Sequence, residues 1–285
     1  MISKSIAVVG STTIDKIVKD NCSRYKIGGV TTYSGITYRR HGIKTYIVSN
    51  VAAGDLMILK KLEREKVNVN HGPTENTTRF INQTGPEGRR QQLLSKAASL
   101  KGRQISELAD RVSWFHLGPL HSLDIGPSCL KAIRKSKLPV FLDVQGYTRR
   151  VHAKKVYAGV SKYLSDALAI SHTAKASGAE LEAILDYYKM GLTELKTAFN
   201  IGEFVVTLGA KGGFVKDKAD NEIHYDAVSA EAVEDLTGAG DVFFAAYIYT
   251  RVFMGKTIAD ACRHAAALAS RQLSGNFITN ATLAL

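Results

Sequence analysis

Short runs that are apolar at most positions alternate along the chain with longer stretches whose apolar residues recur every three or four places. Residues 5–9, 45–48, 112–116, 140–143, 167–170 and 204–207 are the expected strands. Their near-continuous hydrophobicity suits strands covered on both faces. Residues 31–41, 56–65, 127–136, 180–190, 193–199, 238–253 and 257–273 carry the helical period between and after them. Such alternation predicts an α/β fold with a doubly wound, mostly parallel sheet flanked by helices. Two segments break the rhythm. Residues 14–27 are polar and alternating, and residues 77–94 read as two strands around the Thr-Gly-Pro-Glu-Gly turn at 84–88. Both are expected to be antiparallel ribbons outside the main sheet, either a small β lid over its edge or ordinary surface hairpins. No internal repeat or linker divides the chain, so one domain over 1–285 is expected.

With 285 residues the chain can bury a large core. Its 38 Lys and Arg against 26 Asp and Glu give a formal charge of +12, which admits acidic small molecules or nucleic acid as partners. The basic residues, among them Lys16, Arg39, Arg40, Lys60, Arg64, Lys131, Arg134 and Lys154, are dispersed and form no stripe interleaved with aromatics. That argues for a small-molecule substrate and against nucleic acid. No apolar run approaches the roughly 20 residues that span a bilayer, so no membrane partner is expected. The opening apolar run is too short for a signal-peptide core, and a cytoplasmic location is the expectation. Cys22, Cys129 and Cys262 are far apart, form no CxxC pair and are read as reduced. Gly255-Lys256-Thr257 looks like the tail of a P-loop, but Thr250 stands where that motif needs its first glycine. His116 and His121 flank Gly118-Pro119 at a strand end, where they could meet substrate or simply line a loop.

The most informative segment is Asp235-Leu236-Thr237-Gly238-Ala239-Gly240-Asp241, followed by the apolar run Val242–Ala246. Gly238, Ala239 and Gly240 leave the first N–H groups of the following helix uncovered, and those donors together with the helix dipole make an anion hole. Asp241 would stand beside the bound anion. A carboxylate there is costly unless it has a task, such as taking the proton of an attacking hydroxyl. On these residues alone, a helix that merely carries an acid in its first turn explains the string as well.

The wider set of landmarks resembles the PfkB (ribokinase-like) carbohydrate kinase family. The string DxTGAGDxF resembles its second signature. Val9-Gly10 followed by Asp15, the pair Gly28-Gly29 before a helix, Gly54-Asp55, and Val206-Thr207-Leu208-Gly209-Ala210-Lys211-Gly212-Gly213 resemble further landmarks, in order along nearly the whole chain. The resemblance implies a ribokinase-like fold with a β lid. It implies transfer of the γ-phosphoryl group of ATP, with Mg²⁺, to a hydroxyl of a sugar-like acceptor. By the same carry-over Asp241 is the base, residues 238–240 are the anion hole, Asp15 and Gly29 are acceptor-site positions, and Thr207, Gly209 and Gly212 are nucleotide-site positions. A homodimer formed through the lid is a further expectation.

The chain also departs from the family. The N-x-x-E motif that organises magnesium is compared here with residues 170–175, where His172 and Lys175 stand instead, so the metal ligands are unknown and Lys175 is expected to offer its ammonium to a phosphate. Tyr33 replaces the Asn that often follows the glycine pair, and Gln145 lies in Asp143-Val144-Gln145-Gly146-Tyr147, which resembles the inositol-kinase-like branch. An aromatic face and an amide suit a cyclic polyol such as myo-inositol, or a nucleoside. Ribose or a phosphosugar is the alternative acceptor. A basic nucleic-acid-binding protein with vestigial signatures is the alternative of another class.

Overall fold

The structure, a computed structural model, describes residues 4–19, 22–85 and 88–285, without the side chains of Thr84 and Arg89. The middle of the 84–88 turn, Pro86 and Glu87, and the Arg89 side chain therefore lie outside the described residues.

From the N-terminus run β1 (Ser5–Gly10), β2 (Thr13–Lys19), β3 (Cys22–Gly28), α1 (Val30–Arg40), β4 (Lys44–Val48), α2 (Met57–Arg64), β5 (Asn68–Asn70), β6 (Thr78–Gly85) and β7 (Gly88–Ser95). There follow α3 (Gly102–Ser106), β8 (Trp114–Gly118), α4 (Pro127–Ser136), β9 (Val140–Asp143), β10 (Arg149–His152), β11 (Lys155–Ala158) and α5 (Leu164–Leu168). The last third holds β12 (Thr173–Ser177), α6 (Gly178–Tyr188), α7 (Leu192–Phe199), β13 (Glu203–Thr207), β14 (Gly213–Lys216), β15 (Glu222–Tyr225), α8 (Ala239–Ile248), α9 (Ile258–Leu273) and α10 (Asn280–Leu283).

Nine strands form one sheet in the order β15-β14-β13-β12-β9-β8-β1-β4-β5. It is parallel from β13 to β5, with β14 and β15 added antiparallel at one edge. The doubly wound expectation is met. Strand β1 shows why its sequence is apolar throughout: Ile6 and Val8 enter the core under α1 and α8, while Ala7 and Val9 enter the core on the other face with Cys129, Leu130 and Leu181. Helix α8 is apolar on all sides because it is buried on all sides; residues 242–248 are all buried. It ends earlier than expected, since residues 249–253 wind into a wider π turn before Gly255 at φ 64°.

One expected strand is wrong. Residues 167–170 belong to α5 and its end, where Leu164, Ala167 and Leu168 are buried at helical spacing. The true strand is β12, whose sequence Thr-Ala-Lys-Ala-Ser has little β-propensity and a lysine at its centre.

A second sheet, ordered β10-β11-β7-β6-β2-β3, contains the two irregular segments. Strand β2 pairs antiparallel with β3 and parallel with β6, and β6 with β7 antiparallel. The hairpin of β10 and β11 extends this sheet, and nothing in the sequence pattern pointed to it. Among the described residues no helix is long and apolar enough to cross a membrane.

Candidate active site

The parallel strands all end at one edge of the main sheet, at Gly10, Val48, Asn70, Gly118, Asp143, Ser177 and Thr207. The chain passes from β1 to β4 on one side and later to β8 on the other, so strand order reverses there. Such a reversal opens a crevice at the carboxyl ends of the strands. The backbones meet closely at this point: a Cβ on Gly10 would lie 2.3 Å from the Gly118 carbonyl oxygen.

Helix α8 starts at this edge. Gly238 caps it at φ 85°, a conformation that favours glycine, and a Cβ there would also lie 2.4 Å from the Tyr33 ring. Tyr33 is fully buried. Its ring lies against Gly238, so the first turn of α8 covers the face expected to meet an acceptor. Ser34, next along α1, donates its hydroxyl to the Asp241 carbonyl at 3.1 Å. The first turn of α8 is thus held from below by α1, and Asp241 stands in that turn.

Lys175 does not reach toward solvent. Its side chain is 7% exposed, and its Nζ lies 2.6 Å from Asp143 Oδ2, on the neighbouring strand β9. A Cβ placed on Gly240 would be 3.4 Å from that ammonium, so the cation sits directly under the first turn of α8. Burial opposes its charge, but the attraction of Asp143, Glu180 and Asp241 outweighs burial and holds its pKa above the usual lysine value. Nearby, burial reinforced by the Lys175 charge pushes the His116 imidazole down to about 3. His116 Nδ1 meets the Tyr38 hydroxyl at 3.0 Å. Both His116 and His121 are buried, so neither is an open-loop histidine.

The comparison of residues 170–175 with N-x-x-E is misplaced, because the strand was misplaced. At the end of β12 a capping box does have that form: Ser177 Oγ accepts from the Glu180 N–H, and Glu180 Oε2 accepts from the Ser177 N–H at 2.8 Å. The S-x-x-E spacing before an apolar run was the available signal.

On the other flank, Gly29 has φ 92°, and a Cβ there would strike the Ser11 carbonyl. A Cβ on Gly28 would lie 2.3 Å from Asp15 Oδ2. Both glycines let α1 begin against the segment that carries Asp15, and Thr13 Oγ1 donates to Asp15 Oδ1 at 2.7 Å. Asp124, which the sequence did not single out, fixes this corner by accepting from the Ser11 N–H, the Ser11 hydroxyl and the Leu120 N–H. Gln145 lies one step from the buried pair, its N–H donating to Asp143 Oδ1. Its amide oxygen accepts from Arg149 at 3.0 Å. Thr207 ends β13 in register with Ser177, and the exposed turn after it closes at Gly212, φ 75°, with the Leu208 N–H donating to the Gly212 carbonyl.

One residue that was not anticipated, Lys26, joins the flanks through the first acid of the signature. Lys26 of β3, 3% exposed, places Nζ 2.5 Å from Asp235 Oδ2, at the head of the Asp-Leu-Thr-Gly-Ala-Gly-Asp string. Asp235 Oδ1 in turn accepts from the Thr237 N–H at 2.8 Å.

The profile of the pfkB family of carbohydrate kinases matches residues 3–275. No curated protein matches the chain in sequence. Among solved structures, a pyrophosphate-dependent kinase in the ribokinase family, complexed with a pyrophosphate analogue and myo-inositol, superposes with a TM-score of 0.82 at 22% identity, covering 94% of each chain. A nucleoside kinase from Burkholderia thailandensis with inosine gives 0.76 at 15% identity, covering 95% of this chain and 91% of that one. The ribokinase from Thermotoga maritima gives 0.75 at 19%, covering 95% and 93%. These similarities extend the match in fold to nearly the whole of each chain.

Proposed function

Because the chain belongs to the pfkB family of carbohydrate kinases, we propose that it transfers the terminal phosphoryl group of ATP to a hydroxyl of a cyclic polyol of the myo-inositol kind. The observation that carries this reading is the buried ammonium of Lys175 beneath the first turn of α8. Helix dipole, uncovered N–H groups and a fixed cation converge on one point, where the charge of a transferring phosphoryl group is best stabilised.

In this reading the transferring group rests on the backbone N–H groups of residues 238–240. Asp241 accepts the proton of the acceptor hydroxyl as its oxygen bonds to phosphorus and the bond to the bridging oxygen breaks. Asp15 and Gly29 shape the acceptor side, with Gln145 at its margin. Thr207, Gly209 and Gly212 lie along the rest of the donor.

Magnesium fits this site as an ion carried by the phosphates. Among the described residues no three acids, histidines or cysteines converge into a cage. Glu180, a half-buried carboxylate near Lys175, would receive the water shell that the ion keeps. When bound it neutralises charge on the donor's non-bridging oxygens.

A second donor, inorganic pyrophosphate, is favoured by the likeness to the pyrophosphate-dependent kinase and by the exposure of Leu208 through Lys211, which offer no enclosed cover for a base. A nucleoside is the second acceptor, on the likeness to the inosine complex. The test is a matrix of acceptors (myo-inositol, other cyclic polyols, nucleosides, ribose) against ATP and pyrophosphate, with products identified by phosphorus NMR. A higher kcat/KM for ribose than for every cyclic polyol and nucleoside would overturn the acceptor reading.

A further inference from the structure

Lys26 occupies a place that the chemistry above does not use. It lies on β3, and its partner across the antiparallel ladder is Asp15 of β2, so the two side chains share one face of the second sheet. The ammonium points away from that sheet to Asp235 Oδ2 at 2.5 Å, and lies 5.5 Å from the centre of the Tyr33 ring. Asp235 holds the Thr237 N–H, and Tyr33 underlies Gly238. A single cation therefore touches both supports of the anion hole while standing beside the acceptor-side carboxylate. Its three N–H donors and its attraction to a ring face allow these contacts together.

We propose that Lys26 is a positioning residue that locks the acceptor side of the site to the anion hole, so that the lid strand and the turn at 238–240 are set as one unit. The inference rests on the kinase reading. Two observations separate this role from ordinary packing. First, the ammonium is buried at a cost: burial outweighs the attraction of Asp235 and Asp15 and lowers its pKa. An exposed pair could join β3 to the loop without that cost; Arg24, 3.5 Å from the same carboxylate oxygen and 45% exposed, already makes one. Second, the pair spans 209 residues and connects two different sheets' surroundings, β3 on one side and the entry to α8 on the other. Strand β3 also reaches the start of α8 through Gly29 and α1, and the Lys26–Asp235 pair adds a direct side-chain link from β3 to the loop that leads into the turn.

The experiment uses Lys26→Met combined with Asp235→Asn, which removes both charges of the pair together, while Asp15 keeps the hydrogen bond from Thr13 Oγ1. Three quantities are measured: Tm, the rise in Tm produced by inorganic pyrophosphate as an anion probe, and the acceptor KM and kcat. The expected result is a Tm close to that of the parent protein, a pyrophosphate-induced rise cut to less than half, and kcat/KM for the acceptor reduced roughly five-fold or more. A structural role alone would move neither of the last two once Tm is restored, and unchanged values at unchanged Tm overturn the proposal. If the double variant does not reach the parent Tm, Asp235→Asn alone, in which Asp15 still faces the ammonium, is judged by the same two readouts. Should the parent protein phosphorylate no acceptor, the kinase reading fails, and the pyrophosphate-induced rise still decides the lock by itself.

Discussion

Two Lys–Asp pairs stand on either side of the same helix start. Lys175 meets Asp143 at 2.6 Å inside the main sheet, and Lys26 meets Asp235 at 2.5 Å between β3 and the loop before α8. Both ammonium groups are buried, with side chains 7% and 4% exposed. Their pKa values nonetheless move in opposite directions. Burial disfavours both charges. Around Lys175 the carboxylates of Asp143, Glu180 and Asp241 converge and reverse the effect; around Lys26, Asp235 and Asp15 do not, and Arg24 adds repulsion. The contrast shows what a buried cation needs. One well-placed partner keeps it in position, whereas several acids together make it a stable source of positive potential. The first suits a tether and the second suits a site that receives phosphate.

The largest effect is expected where the comparison touches chemistry. Asp241 is one of the carboxylates whose attraction raises the pKa of Lys175. Asp241→Asn should lower kcat by about 10²–10⁴, with donor affinity within a few-fold, as loss of a general base does. Steady-state kinetics and donor binding check it, and near-parental turnover would remove Asp241 from the role of base.

Stability should separate the two pairs next. Lys175→Met strands Asp143, which is fully buried, and should cost about 3–5 kcal/mol. Lys26→Met should cost less, because the Asp235 side chain keeps 12% exposure and Arg24 is 3.5 Å from the same oxygen. Urea unfolding of both variants measures the difference. Equal losses would mean that residual solvent and Arg24 contribute nothing to Asp235.

How much of this was legible depends on what each position has to satisfy. Strands β1, β4, β9 and β13 were readable because burial on two faces demands apolar residues throughout. Strand β12 was missed because Lys175, held there by its pair with Asp143, interrupts the pattern, while the short α5 nearby imitates a strand with its own buried residues. Functional sites are where local rules are broken. The β10–β11 hairpin was invisible for the opposite reason: most of its residues are exposed, so little periodicity is imposed. In the site, Gly29 and Gly238 announced themselves because their positive φ angles and close contacts suit glycine. The Lys26–Asp235 pair could not, since a contact across 209 residues leaves no spacing to read.

Burial, with the charge of Lys175 added to it, also acts on His116. Its imidazole is held down at about 3, so it folds neutral, whereas in the unfolded chain it binds a proton below about 6.5. The unfolded state therefore takes up more protons between those values, and stability falls as pH drops through that window. At pH 5 the loss attributable to His116 should be about 2 kcal/mol, from one proton at ~1.4 kcal/mol per pH unit. In His116→Leu this part of the acid limb should flatten. Urea unfolding at pH 7 and pH 5 for both proteins checks it, and parallel losses would show that the imidazole is not buried in the neutral form.

The smallest effect tests the opposed directions themselves, at alkaline pH. Lys26 has a folded pKa below 10.5, so between the two values the unfolded chain holds the proton more tightly, and this residue adds stability as pH rises toward 10.5. Lys175 has a folded pKa above 10.5, so its contribution is complete below that value and is lost as pH climbs through the folded pKa. Each slope is bounded by ~1.4 kcal/mol per pH unit, and raised tyrosine pKa values contribute over the same range, so only differences between variants are informative. Relative to the parent protein, Lys26→Met should lack a gain in stability just below pH 10.5, and Lys175→Met should lack a loss just above it. Slopes of the same sign in the two difference curves would mean that Glu180 and Asp241 do not add to Asp143 at Lys175, and the distinction between a tether and a source of potential would fall.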